Sequence, residues 1–242
     1  MRKTYTILLI AAVIILVAYN LLPKRAFHES IFPMDASTTL SHYDDVSDGG
    51  SSTASITTKD SSVEFSCMLG SDSAAAWCGI IWDFTSDTKE KYRNWVFVDS
   101  IIMEMDVQGI DEILVKLWTF DPDITNPKEL KTYKLLMKEV SLKKGRQQLS
   151  IPMDQLYTPD FWYSEQKVDS TYNKRHEETV ARLEITPGWN QKRGERFTLR
   201  IYRAEAYGIS NLYFGIALFL FLAMTIIAVG RRHKIKSYEQ EK

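Results

Sequence analysis

The chain has few of the residues that usually announce chemistry. Its 242 residues include two cysteines and four histidines. Two cysteines are too few for a disulfide framework. His28, His42, His176 and His233 are scattered, none at metal-ligand spacing from another histidine or a cysteine. There is no glycine-rich phosphate loop and no nucleophile elbow, and no pair of carboxylates stands apart from the many others. No catalytic residue is therefore assigned, and an enzyme is not expected. A net charge of −1 excludes a strongly basic nucleic-acid binder. Internal repeats, low-complexity tracts, heptads and Asn-x-Ser/Thr acceptors are all missing. The tract Arg175-His176-Glu177-Glu178 reads as solvated surface.

Charge is also missing from two long stretches, Thr4–Pro23 and Ala206–Gly230, although the segment between them is dense in Asp, Glu, Lys and Arg. At ~1.5 Å per residue the second is about 37 Å of helix and the first about 30 Å, against a hydrocarbon core of roughly 30 Å. Two transmembrane helices follow as the expectation, at 5–22 and 209–230. The alternative for the first is a cleaved signal peptide. Its apolar run is longer than a usual signal core, and no small-x-small site precedes Pro23, Lys24 and Arg25. The alternative for the second, a buried core helix, fails because Leu212–Val229 is apolar on every face.

Basic flanks stay with the cytoplasm. Arg2 and Lys3 balance Lys24 and Arg25 about the first span, whereas Arg231, Arg232, Lys234 and Lys236 follow the second. The expected order is thus a cytoplasmic start at 1–4, the first span, a linker at 23–43, an extracytoplasmic domain at 44–207, the second span and a basic cytoplasmic tail at 231–242. Membrane lipid is the implied partner, and a homodimer stays open.

Between the spans the hydrophobic period is two. Ile101, Met103, Met105 and Val107 share one face, opposed by Ile102, Glu104 and Asp106, and Ile113, Val115 and Leu117 oppose Leu114, Lys116 and Trp118. Further strands are expected over 133–140, 146–152, 180–186 and 196–205, with a helical turn and exposed loop within 154–178. This is mainly β, an antiparallel sandwich rather than alternating βαβ units. Val63–Cys67 and Cys78–Trp82 read as paired neighbouring strands, with Cys67 opposite Cys78, Phe65 opposite Ile80 and Val63 opposite Trp82. A cross-strand disulfide and two buried thiols are the alternatives. Asp44, Asp45 and Asp48, beside Gly49 and Gly50, offer oxygens to a structural calcium ion or form a plain polar turn.

The outward positions hold the candidate ligand site. Alternation sends Arg182 and Glu184, and Thr198, Arg200 and Tyr202, away from the core. With Glu104, Lys116 and Trp118 they form one expected face, in which an aromatic plate beside charged groups suits a sugar-like ligand. Cross-strand ion pairs on a solvated face are the alternative. Trp77, Trp82, Trp95, Trp162 and Trp189 read as core or rim packing.

The order Asp48-Gly-Gly-Ser-Ser, Trp77-Cys-Gly-Ile, Val98–Val107, Ile113–Thr119, Gln147–Leu156 and Pro159-Asp-Phe-Trp-Tyr resembles the galactose-binding-like jelly rolls of carbohydrate-binding modules, over residues 40–206. The resemblance implies a jelly-roll β-sandwich flanked by the two spans and a sugar or cell-wall ligand. The layout of span, extracytoplasmic domain, span and basic segment resembles the input half of bacterial inner-membrane sensors. Those receptors continue into a kinase, cyclase or DNA-binding domain, whereas Arg231–Lys242 is too short for one. A ligand-sensing module acting on a cytoplasmic signalling partner or a missing output domain is therefore expected, with a passive glycan- or protein-binding tether as the alternative.

Overall fold

Strict alternation of apolar and polar side chains decides most of the secondary structure, because a half-buried strand shows one face to the core and the other to water. The computed structural model describes residues 2–21, 26–59, 61–71, 75–85 and 92–240, and the side chains of 6–230 within them. Residues Phe27–Gly208 make one compact unit, and the two terminal segments make another.

The β unit contains β1 (Ala26–Phe32), β2 (Thr39–Asp44), β3 (Thr53–Lys59), β4 (Ser62–Met68), β5 (Cys78–Asp83), β6 (Ser100–Gln108), β7 (Glu112–Thr119), β8 (Lys134–Ser141), β9 (Gly145–Pro152), β10 (Val180–Pro187) and β11 (Arg196–Ile209). The first sheet runs β3-β4-β11-β6-β9, with β1 also paired to β11. The second runs β2-β5-β10-β7-β8. The register-defined pairings are antiparallel. Mainly β, as two sheets in a sandwich, is the architecture that the periodicity implied.

The core lies between the sheets. Ile101, Met103, Met105 and Val107 of β6 face Ile113, Val115 and Leu117 of β7 across it, all fully buried with Phe197, Leu199 and Ile201 of β11. A bulge between Ile201 and Arg203 shifts the phase of β11, after which Ala204 and Ala206 point inward.

Two local expectations are corrected. The stretch expected as a linker carries β1 and β2, one in each sheet. Cys67 and Cys78 are joined, but their strands are not neighbours: β4 pairs β3 and β11, while β5 pairs β2 and β10. All six residues Val63, Phe65, Cys67, Cys78, Ile80 and Trp82 do face inward and are buried. The disulfide therefore ties one sheet to the other through the core, with Cα atoms 6.6 Å apart. A turn would have made a hairpin of these strands. Here the chain crosses between layers instead.

In the terminal unit, α1 spans Arg2–Leu21 and α3 spans Leu212–Gln240. Leu212–Gly230 is long and apolar enough to cross a membrane, with mean hydropathy 2.6. The apolar part of α1, Thr6–Leu21, is shorter; at ~1.5 Å per residue it reaches about 24 Å. Two spanning helices were expected, and one meets the length and composition. Tyr19 packs edge-on against Phe214, ring centroids 6.5 Å apart. Residues 22–25 and the side chains of Arg231, Arg232, Lys234 and Lys236 lie outside the described residues.

Candidate functional site

The outer surface of the second sheet is built around one buried carboxylate. Registry places Glu184 of β10 beside Lys116 of β7, and Arg182 beside Trp118. Both Glu184 oxygens are used: Lys116 Nζ lies 3.1 Å from Oε1, Tyr43 donates its hydroxyl to the same oxygen at 2.5 Å, and Trp118 Nε1 donates to Oε2 at 2.7 Å. A buried charge persists only when it is matched in this way. Burial, and then the Glu184 charge, push the Tyr43 phenol well above its ordinary range. Tyr43 comes from β2 and lies flat over Gly79 of β5, where a Cβ would sit 2.6 Å from the ring. Arg182 reaches Asp83 across to β5 at 3.2 Å.

A cleft of about 220 Å³ opens at one end of this face, lined among others by Tyr43, Trp77, Lys116, Thr186, Trp189 and Arg193. Trp77 and Trp189 are exposed, Trp189 to 64%. Neither is loosely attached. The Trp77 backbone N–H donates to Asp45, and Trp189 donates from its backbone to Glu112 and from Nε1 to Glu139, each at 3.2 Å. Thr186 is only 6% exposed and its Oγ1 has no hydrogen-bond partner among the described residues. The cleft thus combines aromatic plates, cationic side chains and one buried hydroxyl with unused hydrogen-bonding capacity.

The expected single face is split in two. Lys116, Trp118 and Arg182 lie on the second sheet, as described, while Glu104, Arg200 and Tyr202 lie on the first, on the opposite outside of the sandwich. There Arg146 binds Glu104 at 2.6 Å and sits 4.3 Å from the Tyr202 ring centroid, and Arg200 pairs with Glu64. That surface is the ladder of cross-strand ion pairs given as the alternative. Of the tryptophans read as packing, Trp82, Trp95 and Trp162 are buried, whereas Trp77 and Trp189 belong to the cleft. Tyr43 was missed because its segment read as linker, although its alternation with Leu40 and His42 was visible.

The other edge of the second sheet is closed by α2 (Asp160–Gln166), whose Trp162 packs on Leu114, Leu135 and Met137. Lys134 is buried beneath it, with Nζ 4.2, 4.6 and 4.9 Å from the ring centroids of Trp162, Tyr163 and Tyr172. Burial lowers this ammonium to about 8, with Asp121 opposing the shift and Arg175 adding to it. Arg175–Glu178 is not the solvated tract expected. Arg175 donates to the Met153 and Leu156 carbonyls, and His176 lies 3.5 Å from buried Asp121 and 3.0 Å from Glu178. The tract fastens the loop to the sheet.

The Asp44–Gly50 turn is likewise structural. Asp45 is buried and accepts from the Ser52 backbone at 2.8 Å, the Ser52 hydroxyl at 2.7 Å and the Trp77 backbone at 3.2 Å. Both of its oxygens accept hydrogen bonds from the protein, and no group of three metal-ligating side chains occurs among the described residues.

No protein-family model and no curated protein matches the chain. Among solved structures, it is similar to the family 11 carbohydrate-binding module of a cellulosomal cellulase of Clostridium thermocellum, with TM-score 0.49 and 8% identity over 77% of this chain and 96% of that one. The same organism's family 11 module in complex with a β-1,3-1,4-mixed-linked tetrasaccharide gives TM-score 0.46 and 10% identity over 74% and 96%. A family 30 carbohydrate-binding module gives 0.46 and 9% over 76% and 99%. The two-sheet fold itself stands on the strand pairing described above.

Proposed function

We propose that the β unit is a carbohydrate-binding domain, held by α3 on the extracytoplasmic side of a bacterial inner membrane, and that it binds its ligand in the cleft at the end of the second sheet. One observation carries the reading: Tyr43, Trp77 and Trp189 line one concavity together with Lys116 and Thr186. Sugars present flat C–H patches for ring stacking and a rim of hydroxyls for hydrogen bonding, which is the pair of chemistries gathered here. Charged groups held by neighbours, such as Lys116 on Glu184, add directional bonds without needing to be ordered on binding.

The sensing role is part of the proposal. β1 follows α1, two residues separate the end of β11 from α3, and these two strands pair with each other, with His28 of β1 2.6 Å from Glu205 of β11. A ligand that favoured one arrangement of this strand pair would bias the helices that continue from it. The signal would pass to a cytoplasmic partner or output domain. A tether needs no such linkage, and no observation favours it over the sensor.

The experiment is binding of the full chain, in lipid nanodiscs, to a panel of soluble glycans. Trp77→Ala and Trp189→Ala are expected to weaken binding about tenfold each, equivalent to about 1.4 kcal/mol, with Arg200→Ala unchanged. Loss on Arg200→Ala with both tryptophan variants unaffected would move the site to the other sheet.

A further inference from the structure

The segment ahead of β6 projects two apolar side chains into solvent from a firmly held turn. Trp95 is buried, with its Nε1 3.2 Å from Glu29, and the Val98 N–H donates back to the Trp95 carbonyl at 2.9 Å. Between them Val96 is 50% exposed and Phe97 67% exposed. An aromatic side chain left this open forgoes its burial energy, and here neither backbone flank gives it freedom to fold back.

The position of this turn within the β unit gives the exposure a meaning. The Asp99 N–H donates to the Tyr207 carbonyl at 2.8 Å, and the Phe97 backbone lies directly on Gly208. A Cβ on Gly208 would meet the Phe97 oxygen at 1.7 Å, so only glycine permits the approach. Gly208 is four residues before Leu212, where the membrane-length apolar stretch begins. At ~3.3–3.6 Å per residue, chain length alone keeps the two within about 14 Å. Ile209, between them, is also exposed. The Val96–Phe97 turn is therefore held at the end of the domain beside the residues that lead into the apolar stretch.

We infer that Val96 and Phe97 insert into the interfacial layer of the membrane that α3 crosses, giving the domain a second attachment beside its covalent one. The partner is the lipid surface rather than another protein, because the patch adjoins the strand end that leads into the apolar helix. Aliphatic and aromatic side chains bury favourably at that depth. A domain held at two points has fewer orientations relative to the bilayer than one hung on a single strand, so movement of β11 would be transmitted with less slack. This inference rests on the reading that Leu212–Gly230 spans the membrane.

The two cysteines are bonded to each other, so an introduced cysteine gives a unique site for a nitroxide label. Three single variants of the full chain in nanodiscs suffice: Val96→Cys, Leu220→Cys in α3, and Lys144→Cys, which lies by the other end of β6. Collision of each label with oxygen, which concentrates in lipid, is compared with collision with a water-soluble nickel chelate. The label at 96 is expected to lose nickel access relative to 144 and to gain oxygen access. Adding Phe97→Asp to Val96→Cys is expected to restore nickel access. Nickel access at 96 equal to that at 144, with 220 in lipid, overturns the insertion and leaves the span intact. Nickel access at 220 overturns the span and the insertion with it.

Discussion

Trp118 donates its indole N–H to Glu184 at 2.7 Å, so the aromatic plate on the outside of the second sheet is fixed by a carboxylate buried beneath it. Tyr43 and Lys116 bind the same carboxylate, which makes Glu184 the common acceptor of side chains from two further strands. Glu184→Gln removes the counter-charge of Lys116 and gives Trp118, Tyr43 and Lys116 only one acceptor oxygen to share. A loss of about 1–3 kcal/mol is expected, larger than for Trp118→Phe, which removes one donor. Urea unfolding of the two variants in detergent measures the order. A smaller loss for Glu184→Gln would show that the carboxylate is not the organising group.

The disulfide makes a separate prediction. Cys67 and Cys78 are 11 residues apart in sequence and lie on different sheets. Closing a loop of that size in the unfolded chain stabilises the fold by roughly 3 kcal/mol in the entropy model. Reduction, or Cys67→Ala with Cys78→Ala, is expected to lower unfolding stability by about 2–3 kcal/mol. Alkylation followed by mass spectrometry should modify neither sulfur until a reductant is added. Ready alkylation without reductant would contradict the bond.

Acid stability turns on Asp45. Burial alone would raise its carboxyl, but the bonds from Ser52 and the Trp77 N–H override this and hold it below the usual carboxylate range. A depressed carboxyl contributes stability that is full above its unfolded value, about 4, and is lost as pH falls through the lower folded value. Asp45→Asn is expected to cost about 1–3 kcal/mol at pH 7, with the gap from the native chain narrowing below pH 4. Denaturation midpoints at pH 7, 5, 4 and 3 test the sign. A gap that widened on acidification would refute it.

What was legible in the sequence was what depends on period and length. Alternation in 101–107, 113–117 and 196–201 assigned inward and outward sides correctly, because a residue's side of a strand is a local property. The charge-free stretch ending at Gly230 announced an apolar helix for the same reason. Of the cleft itself one residue was readable in this way: Lys116 was placed outward on composition and period alone, as were Trp118 and Arg182, which share its sheet but not the cleft.

The rest was not, since outward carries no information about which outside. Glu104 and Arg200 share a side with each other and not with Lys116, because sheet membership is set by pairing between strands far apart in sequence. Val63–Cys67 and Cys78–Trp82 show the same limit. Their inward residues were identified, yet a hairpin and a crossing between layers bury the same side chains and differ only in partners. Tertiary packing also decided the fate of each tryptophan: Trp82, Trp95 and Trp162 are covered by neighbours, while Trp77 and Trp189 are left at the mouth of a cleft. The sequence by itself determined the strands, their inner faces and the apolar helix. Only the tertiary structure decided which strands adjoin, and so which outward residues share a surface, because those contacts bring together residues more than a hundred positions apart.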